Sequence, residues 1–216
     1  MDDELIFSIA SVRASEDVEV ANAIATELTA LGMTVIAVHA LTPKLKPIYA
    51  RIFKALGYSM FMCEETTSEA IFANKPVVKK EFRLFSKGKR GLSKFQINLE
   101  TGKNAQPYLI DVATAHFDEG PQGSVARKAA LAEFPAGLIF AGDISSPKFE
   151  ALEAPVNYFD AWREKGSPDN ELTDRFDRTN RIWWGANCVE CVGFDTACHF
   201  LPQKAVWAKL KVLLYR

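Results

Sequence analysis

The sequence predicts an α/β protein, on three observations. Residues 5–57 alternate strand-like apolar runs with segments of helical period, and residues 58–63, 95–99 and 108–115 add further strand-like runs. At the end of the chain Val206, Ala208, Leu210, Val212 and Leu214 fall on one face, against Trp207, Lys209, Lys211 and Leu213 on the other.

Leu5-Ile6-Phe7-Ser8-Ile9-Ala10-Ser11-Val12 reads as a buried strand. Ser15 then offers a helix cap, Glu16 and Asp17 sit at the positive end of the helix dipole, and Gly32 supplies a stop. Val20, Ile24, Leu28 and Leu31 recur at helical spacing, so one face of this helix packs on a sheet or another helix. Residues 34–40 form a second β-branched strand. A second helix carries Leu45, Ile48, Ile52 and Leu56 on one face and ends at Gly57, with Pro47 in its first turn. Residues 58–63 read as a strand and residues 64–74 as a polar connection.

From Lys75 to Lys94 there are eight basic residues (Lys75, Lys79, Lys80, Arg83, Lys87, Lys89, Arg90, Lys94) against the single acid Glu81. This segment is expected to be a solvated hairpin with a basic turn at residues 88–91; the alternative is a phosphate-contacting loop. Residues 95–99 and 108–115 form the arms of a hairpin around Thr101-Gly102-Lys103-Asn104. Helix, strand and loop signals follow at residues 125–133, 137–141 and 142–154. No internal repeat is present.

At 216 residues and 24.0 kDa, with 48% hydrophobic and 25% charged residues, the chain is expected to form one globular domain over residues 1–216, not a disordered or fibrous one. Lys plus Arg is 26 and Asp plus Glu is 27; the net charge of −1 gives no global field to hold nucleic acid or an anionic membrane. Such a partner would need a local patch. The acidic start Met1-Asp2-Asp3-Glu4 is unlike a secretory or transit peptide, and the apolar run closing at Arg13 is too short to cross a bilayer. Four cysteines (Cys63, Cys188, Cys191, Cys198) are few for a core of this size, so the expected compartment is reducing and intracellular, cytoplasmic or nuclear.

Several segments, in order, resemble the endonuclease/exonuclease/phosphatase superfamily, the deoxyribonuclease I-like fold, and within it the tyrosyl-DNA phosphodiesterases that release 5′ adducts. Ile9-Ala10-Ser11-Val12 sits where that family has Thr-Trp-Asn, and Val38-His39-Ala40-Leu41 where it has Leu-Gln-Glu-Val, ahead of a helix and a Gly57-Tyr58 pair. Thr114-Ala115-His116-Phe117 is similar to the Thr-x-His-Leu strand end. Ile139-Phe140-Ala141-Gly142-Asp143-Ile144-Ser145 is similar to Gly-Asp-x-Asn with its leading strand, and Arg178-Thr179-Asn180-Arg181-Ile182-Trp183-Trp184 to Arg-x-Asp-Arg-Ile-aromatic. The resemblance covers nearly the whole chain and implies a four-layered α/β/β/α sandwich of two mostly antiparallel sheets.

It also implies a site that has lost most of its chemistry. The family uses a Glu for magnesium, an Asp and two Asn to position phosphate and water, and a late Ser-Asp-His turn whose His stabilises developing charge. Here Ser11 stands for the first Asn, Ala40 for the metal-binding Glu, Ser145 for the second Asn and Asn180 for a supporting Asp. The final turn, Leu201-Pro202-Gln203-Lys204-Ala205-Val206-Trp207, has neither Asp nor His. Only His116 and Asp143 stand at their family positions. Losing one stabilising group typically costs ~10²-fold or more, and a methyl at Ala40 cannot hold a hard cation that wants oxygen ligands.

Other candidates carry less. Cys188-Val189-Glu190-Cys191 with Cys198-His199 could surround zinc, but the second pair is adjacent, and residues 188–192 read better as a continuation of the strand after Trp184. Cys198-His199 as a nucleophilic pair is weaker still, since neighbours on an extended chain point to opposite faces. His39, in an apolar strand, is expected to be a satisfied core residue. Asp169, Glu171, Asp174 and Asp177 are expected to form a solvated acidic loop; the alternative is a calcium site, for which the ligand spacing and central Gly of an EF-hand are missing. Trp162, Trp183, Trp184 and Trp207 are expected in the core, or on a partner surface if exposed.

The function expected is therefore a catalytically inactive phosphodiesterase-fold protein serving as an interaction or scaffold module with protein partners, without a cofactor or a metal and with weak or no nucleic-acid binding. Lys79, Lys80, Lys87, Lys89 and Arg90 are the candidate partner or phosphate contacts. The alternatives are a magnesium-dependent phosphodiesterase with relocated ligands and a non-catalytic nucleic-acid end-binding protein. In the leading reading the old cleft is shallow or filled, with small or apolar Ala40, Pro202, Ala205 and Trp207 where polar groups once stood.

Overall fold

The computed structural model of the chain describes residues 6–87, 90–99, 108–118, 123–145, 154–161, 180–185, 189–197 and 205–212. The first strand, β1 (Ile6–Arg13), runs parallel to β2 (Val35–His39), with Ile9 opposite Val35 and Val12 opposite Val38. Helix α1 (Val18–Ala30) joins them. Its cap is Asp17, not Ser15: the Asp17 carboxylate accepts from the N–H groups of Glu19 at 2.9 Å and Val20 at 3.4 Å. Ser15 is buried one step earlier, where its Oγ accepts from the Asp17 N–H. A carboxylate beats the hydroxyl at this position because its charge also meets the helix dipole. The helix buries Ala21, Ile24, Ala25 and Leu28, leaving Val20 and Leu31 half-buried, and Gly32 turns the chain at φ 73°.

Helix α2 (Leu45–Ala55) keeps Pro47 in its first turn, where the missing N–H has no intrahelical acceptor to lose. Then come β3 (Ser59–Phe61) and β4 (Ala70–Ala73). The polar connection expected over residues 64–74 is corrected here: Ala70-Ile71-Phe72-Ala73 is a fully buried strand between β2 and β3. A four-residue run buried on both faces has no alternation to betray it. The basic segment forms a hairpin of β5 (Val77–Leu84) and β6 (Gly91–Asn98), and β6 pairs with β7 (Leu109–Thr114). Helix α3 (Ser124–Ala132) leads to β8 (Ile139–Asp143), parallel to β7.

The remaining strands are β9 (Tyr158–Asp160), β10 (Asn180–Gly185), β11 (Val189–Ala197) and β12 (Ala205–Val212). Residues 189–192 do not continue β10. They begin β11, which lies in the other sheet and pairs with β12. Gly185 ends β10 against the backbone of Gly137, at 3.0 Å from where a Cβ would stand, and the chain then crosses between sheets.

Two six-stranded sheets result, ordered β11-β12-β1-β2-β4-β3 and β5-β6-β7-β8-β10-β9. Each has one parallel pair, β1 with β2 and β7 with β8; the other pairings of described strands are antiparallel. The inner faces share a core of Phe7, Ile9, Ile71, Phe95, Ile139 and Trp184 among others. Outside the first sheet, Ile24, Leu28, Tyr49 and Phe53 of the helices close on Ile36, Val38 and Phe72. Outside the second, Phe117, Ala130, Phe140 and Trp183 form a third cluster under α3. These are the four layers α/β/β/α. Trp183 and Trp184 therefore point to opposite faces of β10 and are both buried, while Trp162 lies outside the described residues. No helix among the described residues is long and apolar enough to cross a membrane.

Candidate functional site

The carboxyl ends of the two parallel pairs meet where the sheets face each other. Strand β1 brings Ser11 and Arg13 there, β2 brings His39 and then Ala40, β7 leads into His116, and β8 ends on Asp143. Residues with spacing i, i+2 on a strand share a face, which is why Ser11 and Arg13 approach the same neighbours. Glycine is required just before Asp143. A Cβ at Gly142 would stand 2.7 Å from the Ala115 carbonyl oxygen and 2.1 Å from the Phe140 ring.

Asp143 is fully buried, and its carboxylate is held from several directions. Oδ1 accepts from the Ser145 N–H at 2.8 Å and the Ser145 hydroxyl at 3.3 Å. Oδ2 faces the Arg13 guanidinium at 3.3 Å and His116 Nε2 at 3.8 Å. The Asp143 backbone also bonds Ala115 and Phe117 across a bridge beside His116. Ser145 reaches its carboxylate by adopting φ 47°, and Ala40 sits at φ 58°, both in the left-handed region that costs a non-glycine residue roughly 1–2 kcal/mol. Asn180 stands opposite Asp143 in the β8–β10 register.

Beneath this carboxylate lies His39, fully buried in a network that joins the sheets. Its Nε2 is 3.1 Å from Ser11 Oγ, Ser11 Oγ donates to the Gly142 carbonyl at 3.4 Å, and Thr114 Oγ1 is 3.5 Å from Nδ1. With the Ser11 proton on Gly142, the network assigns the imidazole proton to Nε2 and leaves Nδ1 as acceptor. Burial lowers the His39 pKa to about 3, against a smaller opposing pull from Asp143, so the ring is neutral near pH 7. His39 is thus a hydrogen-bonded core residue, as expected.

Two residues of this cluster escaped sequence reasoning. In the sequence Arg13 stands only as the end of an apolar run, yet its place two residues after Ser11 puts it on the same strand face. Glu69, buried, accepts from the His116 N–H at 3.2 Å and from the Ser68 hydroxyl at 3.3 Å, both on Oε1. Desolvation raises its pKa, while His116 and Arg90 pull the other way. The acid directly precedes the buried run of β4, but a lone Glu beside four apolar residues carries no motif.

The basic candidates do not gather. Lys79 pairs with Glu81, Lys80 donates to the Met62 carbonyl at 3.0 Å, Lys87 is exposed, and Lys89 lies outside the described residues. Arg90 alone among the described ones leans toward the cluster, donating to Ser68 Oγ at 3.2 Å with Asp118 3.9 Å away. Pro202 is outside the described residues, as are Cys188, Cys198, His199 and the acidic loop of residues 169–177. Ala205, Trp207 and Cys191 are placed by their backbone, on β12 and β11.

The family resemblance implies a divalent cation held at the position of Ala40, and the residues present there and around Asp143 do not suit one. Ala40 offers a methyl group, Ser145 spends its N–H and hydroxyl on Oδ1, and a guanidinium stands at Oδ2 where a cation would be repelled. Among the described residues no group of three His, Cys, Asp or Glu side chains is placed to hold a metal ion.

Solved structures share the whole architecture. TDP2 from C. elegans superposes with a TM-score of 0.68 at 15% identity, over 98% of this chain and 77% of that one. The human Nocturnin catalytic domain gives 0.69 at 12% identity, over 96% and 94%. An endonuclease/exonuclease/phosphatase family protein from Bacteroides thetaiotaomicron gives 0.67 at 14% identity, over 98% and 100%. No family model matches the sequence, and no curated protein matches it. The chain has the endonuclease/exonuclease/phosphatase fold.

Proposed function

We propose that this chain is a catalytically inactive phosphodiesterase-fold protein that works as an interaction or scaffold module for protein partners, alone or as a subunit of a larger assembly. The observation that carries this reading is the saturation of Asp143 by Ser145 and Arg13. Phosphodiester hydrolysis in this fold depends on a metal and on groups aimed at a charge-rich transition state. A guanidinium already spent on Asp143, a methyl at Ala40 and short hydroxyls at Ser11 and Ser145 supply neither. We read the chain as needing no cofactor. Weak, salt-sensitive nucleic-acid binding fits the pairing of Lys79 with Glu81 and the near-zero net charge. The Cys63 thiol, unbridged, agrees with an intracellular, cytoplasmic or nuclear setting.

The test is turnover of 5′-phosphotyrosyl and abasic-site DNA by the purified protein with magnesium or manganese. No turnover above background is expected. Turnover that disappears in Asp143→Ala would establish the phosphodiesterase alternative instead.

A further inference from the structure

Beside the Asp143 cluster the loop after β3 and the β5–β6 hairpin enclose a groove of about 540 Å³. One wall carries Glu64, Thr66 and Glu69, the other Phe82, Leu84 and Arg90. The loop is fixed: the Leu41 N–H binds the Ser68 carbonyl at 2.9 Å, and the Thr67 hydroxyl binds the Glu64 carbonyl at 2.9 Å.

Glu69 is the unusual element. It is 4% exposed, and both of its protein donors go to Oε1; no donor among the described residues reaches Oε2. That oxygen is in contact with solvent at the groove, so water serves it until a charged donor displaces the water. Glu64, exposed at the rim, adds a second negative charge. Arg90, engaged by Ser68 and Asp118, offsets part of the charge at Glu69, and Glu64 leaves the groove with an excess of negative charge. Leu84, 63% exposed, and half-buried Phe82 supply an apolar flank next to the acids.

We propose that this groove receives a lysine or arginine side chain of a protein partner, its cationic head on Glu69 and Glu64 and a neighbouring apolar residue against Phe82 and Leu84. The inference rests on reading the chain as an interaction module and names the partner's recognition chemistry. The buried acceptor sets selectivity for a charged donor, since a neutral side chain cannot repay the desolvation of Glu69. The apolar flank adds area at the centre of the contact.

The probes are capped heptapeptide libraries with a fixed central residue: lysine, arginine, norleucine, glutamate or phosphoserine. Each is passed over the immobilised full chain, retained sequences are read out, and affinities of retained peptides are then measured in solution. The lysine or arginine library is expected to be enriched, with an apolar residue selected beside the cation. Glu69→Gln, which keeps the acceptor to His116 but removes the charge, is expected to weaken retained peptides roughly 30-fold or more. Thr66→Lys at the exposed rim supplies a competing cation and should weaken them too, should Glu69→Gln fail to fold.

Equal retention of norleucine and lysine libraries, enrichment of glutamate or phosphoserine through Arg90, or affinities untouched by both variants would overturn the proposal. So would self-association in sedimentation that is abolished by Glu69→Gln, which makes a second copy the occupant. DNA turnover measured on the same preparation tests the interaction-module reading separately, because a live phosphodiesterase can still show or lack the peptide site.

Discussion

Arg13 Nη1 lies 3.3 Å from Asp143 Oδ2, joining the end of β1 in one sheet to the end of β8 in the other. The carboxylate is fully buried, whereas the arginine side chain is 39% exposed, so the pair brings a positive charge to a buried negative one from the solvent side. A resident cation of the chain itself thus compensates the buried carboxylate.

Replacing Arg13 with Ala is expected to destabilise the fold by about 1–2 kcal/mol, less than a fully buried pair would cost, because Ser145 still serves Oδ1 and water can reach the gap. The urea midpoint of Arg13→Ala against the parent measures it, with an unchanged slope confirming that stability alone has moved. Millimolar magnesium is expected to leave the parent's Tm where it is, since only a ligand of the folded state raises it.

Acid should weaken this protein through His39. Its folded pKa is lowered to about 3 from 6.5, so between those values the unfolded chain binds a proton that the folded chain does not. Stability from this group is complete above about pH 6.5 and falls as pH falls, by up to about 1.4 kcal/mol per unit. Glu69 acts in the opposite sense: burial raises its pKa, and its contribution is lost as pH rises through that value. Denaturant titrations of the parent and His39→Asn across pH 4–7 separate the two, as the variant should show a flatter acid dependence. An unchanged slope would mean that His39 does not titrate as its burial demands.

Gly142→Ala is expected to destabilise by roughly 1–3 kcal/mol, the usual cost of overpacking, although alanine is the commoner strand residue. The Phe140 ring is fully buried against Trp183 and Phe134, and the Ala115 carbonyl is backbone, bonded to the Asp143 N–H at 3.0 Å, so neither yields easily. Thermal unfolding of the variant checks this. A loss under about 0.5 kcal/mol would show that β7 and β8 can part without cost.

By itself the sequence determined the α/β class, the two outer helices and most strands, because helical spacing in α1 and α2 and alternation in the last strand are local consequences of one buried face. It also marked Asp143 and His116, through short motifs whose residues adjoin in the chain. Tertiary structure alone decided the rest. Ala70-Ile71-Phe72-Ala73 became a central strand only because β2 and β3 enclose it on both sides. Residues 189–197 left the sheet of β10 for the sheet of β12, a choice of hydrogen-bonding partner that no local pattern records. Arg13 and Asp143 are separated by 130 positions, and Glu69 and His116 by 47. Such pairs depend on which strand ends the two sheets bring together, and the free energy of burying one charge beside another exists only once water has been removed from between the sheets.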